Sequence, residues 1–206
     1  VTEQVFKAGK KLRMVQTAGA GYDKLDLAAA TRHGVICCNN GDLNSSRVAD
    51  FCMLLLLAQL RRYIQTVDYM QTGNWDKARG EGVQAVEVED KTIGIIGFGN
   101  IGAKLGKRAH AFDMKVIYND ILQDVNRDIA KQIGARRVEK EELYRAADVV
   151  SINTPLNETT RGLIGAREIA MMKDGAFIIC TARGNIIDEP ALRKALDEGK
   201  LAGAGI

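Results

Sequence analysis

Residues 91–102 read Lys-Thr-Ile-Gly-Ile-Ile-Gly-Phe-Gly-Asn-Ile-Gly, and their reading decides the fold. The second half, Gly97-Phe98-Gly99-Asn100-Ile101-Gly102, fits the pattern G-x-G-x-x-G. A glycine-rich chain meets that pattern by chance, so the flanks carry the weight. Ile93–Ile96 is a short apolar run that suits a buried strand, and Ile101, Leu105, Ala109 and Phe112 then recur at helical spacing. In a strand–turn–helix unit, Gly97 allows the tight turn, Gly99 lets the backbone approach a pyrophosphate, and Gly102 lets helix and strand pack closely. The helix start, with Asn100 and Ile101, offers free N–H groups and the positive end of the dipole to phosphates. Lys115–Asn119 reads as the next strand, closed by Asp120. A carboxylate there accepts the adenine-ribose hydroxyls and repels the 2′-phosphate of NADP, which makes NAD the expected cofactor. The bland alternative is a set of glycines that only make turns in an α/β sheet that binds nothing.

Working outward, the rhythm continues on both sides. Downstream, helices are expected at Asn126–Gly134, Glu141–Ala146 and Asp188–Gly199, the last with Pro190 in its first turn. Strands are expected near Val138, at Asp148–Asn153 and at Ala176–Thr181. Upstream, Leu12–Thr17 and Val35–Cys38 read as strands around a helix at Leu27–Arg32. One long helix is expected over Val48–Met70, with Ser45 and Ser46 as caps and Gly73 as its stop, followed by a polar stretch, Gln71–Asp90. Alternating strands and helices imply βαβ units and a doubly wound parallel sheet. The expected boundary lies near Ser46, between a small mixed segment (1–46) and the regular sheet domain (47–206).

Composition narrows the class of protein. The 206 residues hold 29 Lys+Arg and 26 Asp+Glu, with 46% hydrophobic and 27% charged residues, which excludes a disordered chain. The longest apolar run, Phe51–Ala58, is far short of the ~20 residues needed to cross a bilayer, and no export signal is evident. The cations are scattered among acids, unlike the basic face of a nucleic-acid binder. Cys37, Cys38, Cys52 and Cys180 have spacings that suit neither a disulfide framework nor a zinc site, so reduced thiols, no metal and a cytoplasmic location are expected. Cys180, ending an apolar strand, reads as core.

Several motifs together resemble the D-isomer-specific 2-hydroxyacid dehydrogenase family. They are the 91–102 run, Ile152-Asn-Thr-Pro-Leu156, the Thr159-Thr160 step, and Cys180-Thr-Ala-Arg-Gly184 followed by Ile187-Asp-Glu189. Upstream, Ala18-Gly-Ala-Gly-Tyr-Asp-Lys-Leu-Asp26 is similar to the family's substrate-domain loop, and Val48-Ala-Asp50 to the start of its interdomain helix. The resemblance implies a Rossmann NAD-binding domain behind part of a flavodoxin-like substrate domain. It implies reversible hydride transfer between the nicotinamide and C2 of a small D-2-hydroxy or 2-keto acid, such as phosphoglycerate or glycerate/hydroxypyruvate. Formate or phosphonate dehydrogenase chemistry, and a noncatalytic NAD-sensing corepressor-like module, are the alternatives. Asn44 can be matched to the formate branch's substrate Asn, but other branches carry Asn there too.

Arg183 follows the Ala176–Thr181 strand and so lies at the carboxyl end of the sheet, where ligands bind in such folds. A guanidinium matches a carboxylate with two prongs and never loses its charge. The family assigns this Arg to substrate binding and carbonyl polarisation. Gly19, Ala20 and Gly21 can offer backbone N–H groups as an anion nest, although a plain turn explains the glycines equally well. The resemblance places Thr154, Pro155 and Thr159 on the adenosine and pyrophosphate side, and Thr181, Ala182 and Arg183 at the nicotinamide half. It also implies a homodimer across the long helix. The family's catalytic Glu and His motifs would lie beyond Ile206, and neither His33 nor His110 sits in such a motif. The chain is therefore expected to be an internal fragment, inactive by itself.

Overall fold

The computed structural model describes residues 1–206. The chain begins with α1 (Glu3–Ala8), β1 (Met14–Gln16), α2 (Leu27–Arg32) and β2 (Ile36–Cys38). Three helices follow: α3 (Ser45–Leu60), α4 (Tyr63–Gln71) and α5 (Trp75–Gln84). Then comes an alternating run of β3 (Thr92–Ile96), α6 (Asn100–Ala111), β4 (Lys115–Asn119), α7 (Arg127–Gln132) and β5 (Arg136–Arg137). It continues through α8 (Lys140–Ala146), β6 (Val149–Ile152), α9 (Ala166–Met171), β7 (Ala176–Cys180), α10 (Glu189–Asp197) and β8 (Leu201–Gly205).

Six strands form one sheet in the order β5-β4-β3-β6-β7-β8, every neighbouring pair parallel. Its order reverses between β3 and β6, which opens a crevice at their carboxyl ends. Both faces are covered, as a parallel sheet requires. Ile93 and Ile95 pack with Leu56, Leu60 and Leu105 on one face, and Ile96 packs with Leu143 and Ile152 on the other. Gly94 lets α8 close onto β3, because a Cβ there would stand 2.6 Å from Leu143 and 2.9 Å from Ala147. Asp148 ties β3 to the approach of β7, accepting from Thr92 N–H and from Lys173, both at 2.8 Å. Burial opposes its charge, but those two donors prevail and hold the carboxyl below its ordinary range. A separate parallel pair, β1–β2, carries its own small core of Phe6, Ala29, Ala30 and Val35.

The expected long helix over Val48–Met70 does not exist as one element. It breaks at Arg61-Arg62, where Arg62 is left-handed (φ 51) and its guanidinium pairs with Glu81 of α5. The polar stretch holds helix α5, whose N-cap Asn74 accepts from Lys77 N–H. At the start of α3 the cap position belongs to Asn44, and Ser45 is already helical. The strand expected near Val138 lies slightly earlier, at Arg136–Arg137. Elements α1, α9 and β8 were not anticipated from the sequence. The α10 cap is as expected, with Asp188 accepting from Ala191 N–H.

Candidate functional site

The crevice above the sheet is built from three carboxyl ends. Beyond β3, Gly97 has φ 88, and a Cβ on it would meet Asn153 O at 2.9 Å. Gly102 is required for a different reason: a Cβ there would stand 2.1 Å from Gly97 O. Gly99 has open space where its Cβ would be, and no side chain caps α6. The first N–H paired at this helix start is that of Ala103, which donates to Gly99 O. The N–H groups of Asn100, Ile101 and Gly102 therefore have no acceptors in the chain, and Asn100 and Ile101 line the crevice, as an anion site needs. Phe98 is fully buried and stacks on Tyr118 of β4, which anchors the turn from below.

Asp120 closes β4 beside this turn. Its Oδ2 accepts from Phe98 N–H at 2.7 Å, and its Oδ1 from Leu122 N–H at 2.9 Å. Each oxygen keeps a lone pair for a ribose hydroxyl. Arg137 donates to the Asp120 backbone carbonyl at 2.8 Å, bringing a cation to the same corner.

The far wall comes from β6, β7 and the N-terminal segment. One cavity of about 450 Å³ is lined by Gly19–Asp23, Asn100, Ile101, Thr154, Pro155 and Thr181–Arg183, among others. Thr154 Oγ1 is buried there without a partner. Thr181 is steadied by Cys52, whose Sγ lies 3.2 Å from its hydroxyl. Burial pushes the Cys52 and Cys180 thiols up, which removes either as a nucleophile near neutrality. The turn thus brings together Gly97, Gly99, Asn100, Ile101 and Gly102, with Asp120 one bond behind them. Thr159 stays apart: it does not line the cavity, and its N–H and hydroxyl both donate to Asn157 Oδ1.

The Gly19–Gly21 loop is oriented by its own carbonyls. Ala18 O accepts from Asn40 Nδ2, Gly19 O from Asn40 N–H, and Ala20 O from Asn39 Nδ2. With those carbonyls turned away, the N–H groups of Ala20 and Gly21 have no acceptor in the chain. Opposite them stands Arg183, whose Nη2 occupies the space beside Gly21: a Cβ there would be 1.5 Å away. Free N–H groups and a guanidinium so placed suit a carboxylate next to a carbonyl. Two further residues belong to this set: Asn44, which the sequence matches to a substrate Asn without assigning it a role, and Asp23, which it leaves without one. Asn44 lines this cavity and an adjoining one of about 720 Å³, with Oδ1 buried and unpaired. Asp23 accepts from Arg183 Nε at 2.8 Å. The signal for Asn44 is its match to the formate branch's substrate Asn, and nothing local marks Asp23. His33 rests against Phe6 and Glu3, and His110 sits on α6 away from the cavity.

This geometry defines a class: a doubly wound dinucleotide-binding domain whose crevice faces an anion-binding loop. Residues 53–206 match the family model described as D-isomer specific 2-hydroxyacid dehydrogenase, NAD binding domain. The chain belongs to that family and carries its NAD-binding domain. It is 39% identical over its whole length to the D-3-phosphoglycerate dehydrogenase of Methanocaldococcus jannaschii, and spans 38% of that protein. It is 36% identical to the glyoxylate reductase of Korarchaeum cryptofilum, again over the whole chain and over 62% of that protein. Among solved structures, a glyoxylate reductase from Paecilomyes thermophila superposes with TM-score 0.88 at 35% identity, over 98% of this chain and 60% of that one. The chain thus spans less than two thirds of the length of each of these relatives.

Proposed function

We propose that the protein carrying this chain is an NAD-dependent oxidoreductase acting between C2 of a small D-2-hydroxy acid and the corresponding 2-keto acid. The observation that carries this reading is the placement of Arg183 against Gly21, facing a loop whose N–H groups are unpaired. On this reading, residues 1–46 are part of the substrate domain and 47–206 the NAD-binding domain. Ala20 and Gly21 N–H groups hold the substrate carboxylate, and Arg183 shares that carboxylate and polarises the C2 carbonyl. Asn44 adds its amide to the same group. Bound NADH supplies the hydride. The N–H groups of Asn100, Ile101 and Gly102 hold the pyrophosphate, Asp120 the ribose, and Thr154, Pro155, Thr181 and Ala182 the wall between them. Thr159 acts at one remove, through the loop that Asn157 closes.

The proposed setting is a homodimer in the cytoplasm, without nucleic acid or membrane partners. No helix is long and apolar enough to cross a membrane, and the alternating charges offer no basic face.

The test is NADH oxidation by the full-length protein with hydroxypyruvate, glyoxylate and pyruvate. Turnover with at least one of them, with kcat/KM lost by ~10²-fold or more in Arg183→Ala, is expected. An active parent indifferent to Arg183 would overturn the site assignment. NADH binding without turnover on any 2-keto acid would favour the NAD-sensing reading instead.

A further inference from the structure

The Arg183 guanidinium has a partner that substrate binding alone does not call for. Its Nε donates to Asp23 Oδ1 at 2.8 Å, and its Nη1 to Ala182 O at 2.7 Å. The two residues are separated by 160 positions: Arg183 rides on the loop after β7, and Asp23 on the turn before α2. The Asp23 side chain is only 20% exposed although its turn lies at the surface. Gly21 completes the arrangement, since its missing Cβ leaves the space that Nη2 fills and lies 3.1 Å from Asp23 Oδ1.

We propose that Asp23 is the positioning residue for Arg183, holding Nε so that the Nη2 edge faces the substrate carboxylate and C2 carbonyl. This rests on the function proposed above. An arginine side chain has long, freely rotating torsions, and fixing them beforehand removes an entropic cost from each binding event. With Nε on Asp23 and Nη1 on Ala182 O, the guanidinium plane can no longer turn about its axis. Nη2, left without a partner among these bonds, lies beside Gly21 of the loop with unpaired N–H groups. Because the anchor comes from the N-terminal segment and the arginine from the sheet, the pair also fixes the separation of the two walls. The Arg183 hydrogen bond holds the Asp23 carboxyl below its ordinary range, so the anchor stays ionised throughout the neutral region.

The alternative is an ordinary ion pair that only supports the fold, and such exposed pairs contribute little. Asp23→Ala and Asp23→Asn in the full-length protein separate the two. Asn retains an oxygen acceptor for Nε; Ala does not. Ala is expected to lose ~100-fold in kcat/KM for the 2-keto acid, the scale of a misplaced catalytic group. Binding of oxamate, a carboxylate–carbonyl mimic, to the NADH complex should weaken ~10-fold in Ala, since one positioned charge-assisted bond is lost. NADH affinity and melting temperature should stay at the parent values, and Asn should remain within about fivefold of the parent. The proposal is overturned if Ala stays within about threefold of the parent, or if Asn is as damaged as Ala. It is equally overturned if NADH binding or folding falls together with activity, because that is a structural role. A parent that neither turns over nor binds oxamate refutes the proposed function itself, a result distinct from any of these.

Discussion

At the scale of single residues, Asp120 does two things with one carboxylate. It receives Phe98 N–H and so holds the glycine turn, while on the proposed reading its remaining lone pairs would take the adenine-ribose hydroxyls. A 2′-phosphate would meet this charge at close range. Like-charge juxtaposition costs several kcal/mol, and about 3 kcal/mol corresponds to ~100-fold in affinity. Calorimetric titration should therefore show NADH bound ~100-fold more tightly than NADPH. In Asp120→Ser the repulsion is gone and Arg137, bonded to the Asp120 carbonyl, stands ready for a phosphate. The preference should shrink to within ~10-fold, mostly by weaker NADH binding. Equal affinities in the parent would refute the role given to the carboxylate. Asp120 is legible in sequence because strand, turn and helix set its distance from the glycines. Asp23 is not, since nothing local in Gly21-Tyr-Asp-Lys24 announces a partner 160 residues away.

At the scale of elements, what the sequence reveals depends on whether a boundary carries its own chemistry. The β3–α6 unit is fully legible, because an apolar run, three glycines and a helical stripe each have a separate physical reason. The α3–α4 break is not, because Arg62 takes a left-handed conformation more typical of Gly, Asn or Asp, and is held there by Glu81. Strand β8 hides in Leu-Ala-Gly-Ala-Gly, a composition that reads as a loop until β7 offers it a hydrogen-bonding edge. The glycines of the turn allow a sharp test of the roles assigned to them. Gly99→Ala meets open space, so its melting temperature should stay near the parent's while NADH binding weakens ~10-fold or more, the backbone being held off the pyrophosphate. Gly102→Ala drives a methyl to 2.1 Å from Gly97 O, so the helix must move off the strand. It should lose stability by roughly 2–4 kcal/mol as well as binding. If thermal melting ranks the two variants the other way, the division of labour within the turn is wrong.

At the scale of the whole molecule, the outer helices leave a surface that one copy does not cover. Leu54 on α3, Tyr63 and Ile64 on α4, and Trp75 and Val83 on α5 are 57%, 57%, 65%, 62% and 83% exposed. Single exposed apolar residues are ordinary, but these five lie on three consecutive helices, with α4 packed against both α3 and α5. A second copy of the chain would offer the same residues to itself across a two-fold axis, the commonest symmetry of soluble oligomers. A straight helix over Val48–Met70 would carry Tyr63 and Ile64 away from α5, whereas the break at Arg62 packs α4 against it. Sedimentation of the full-length protein should give a dimer at micromolar concentration. Ile64→Asp adds no strain to the monomer, where the side chain faces solvent, yet would bury an unpaired charge in such an interface and should shift the equilibrium to monomer by ~100-fold or more. A parent that stays monomeric at high concentration, or an Ile64→Asp variant that dimerises like the parent, would show that this patch is not the contact between copies.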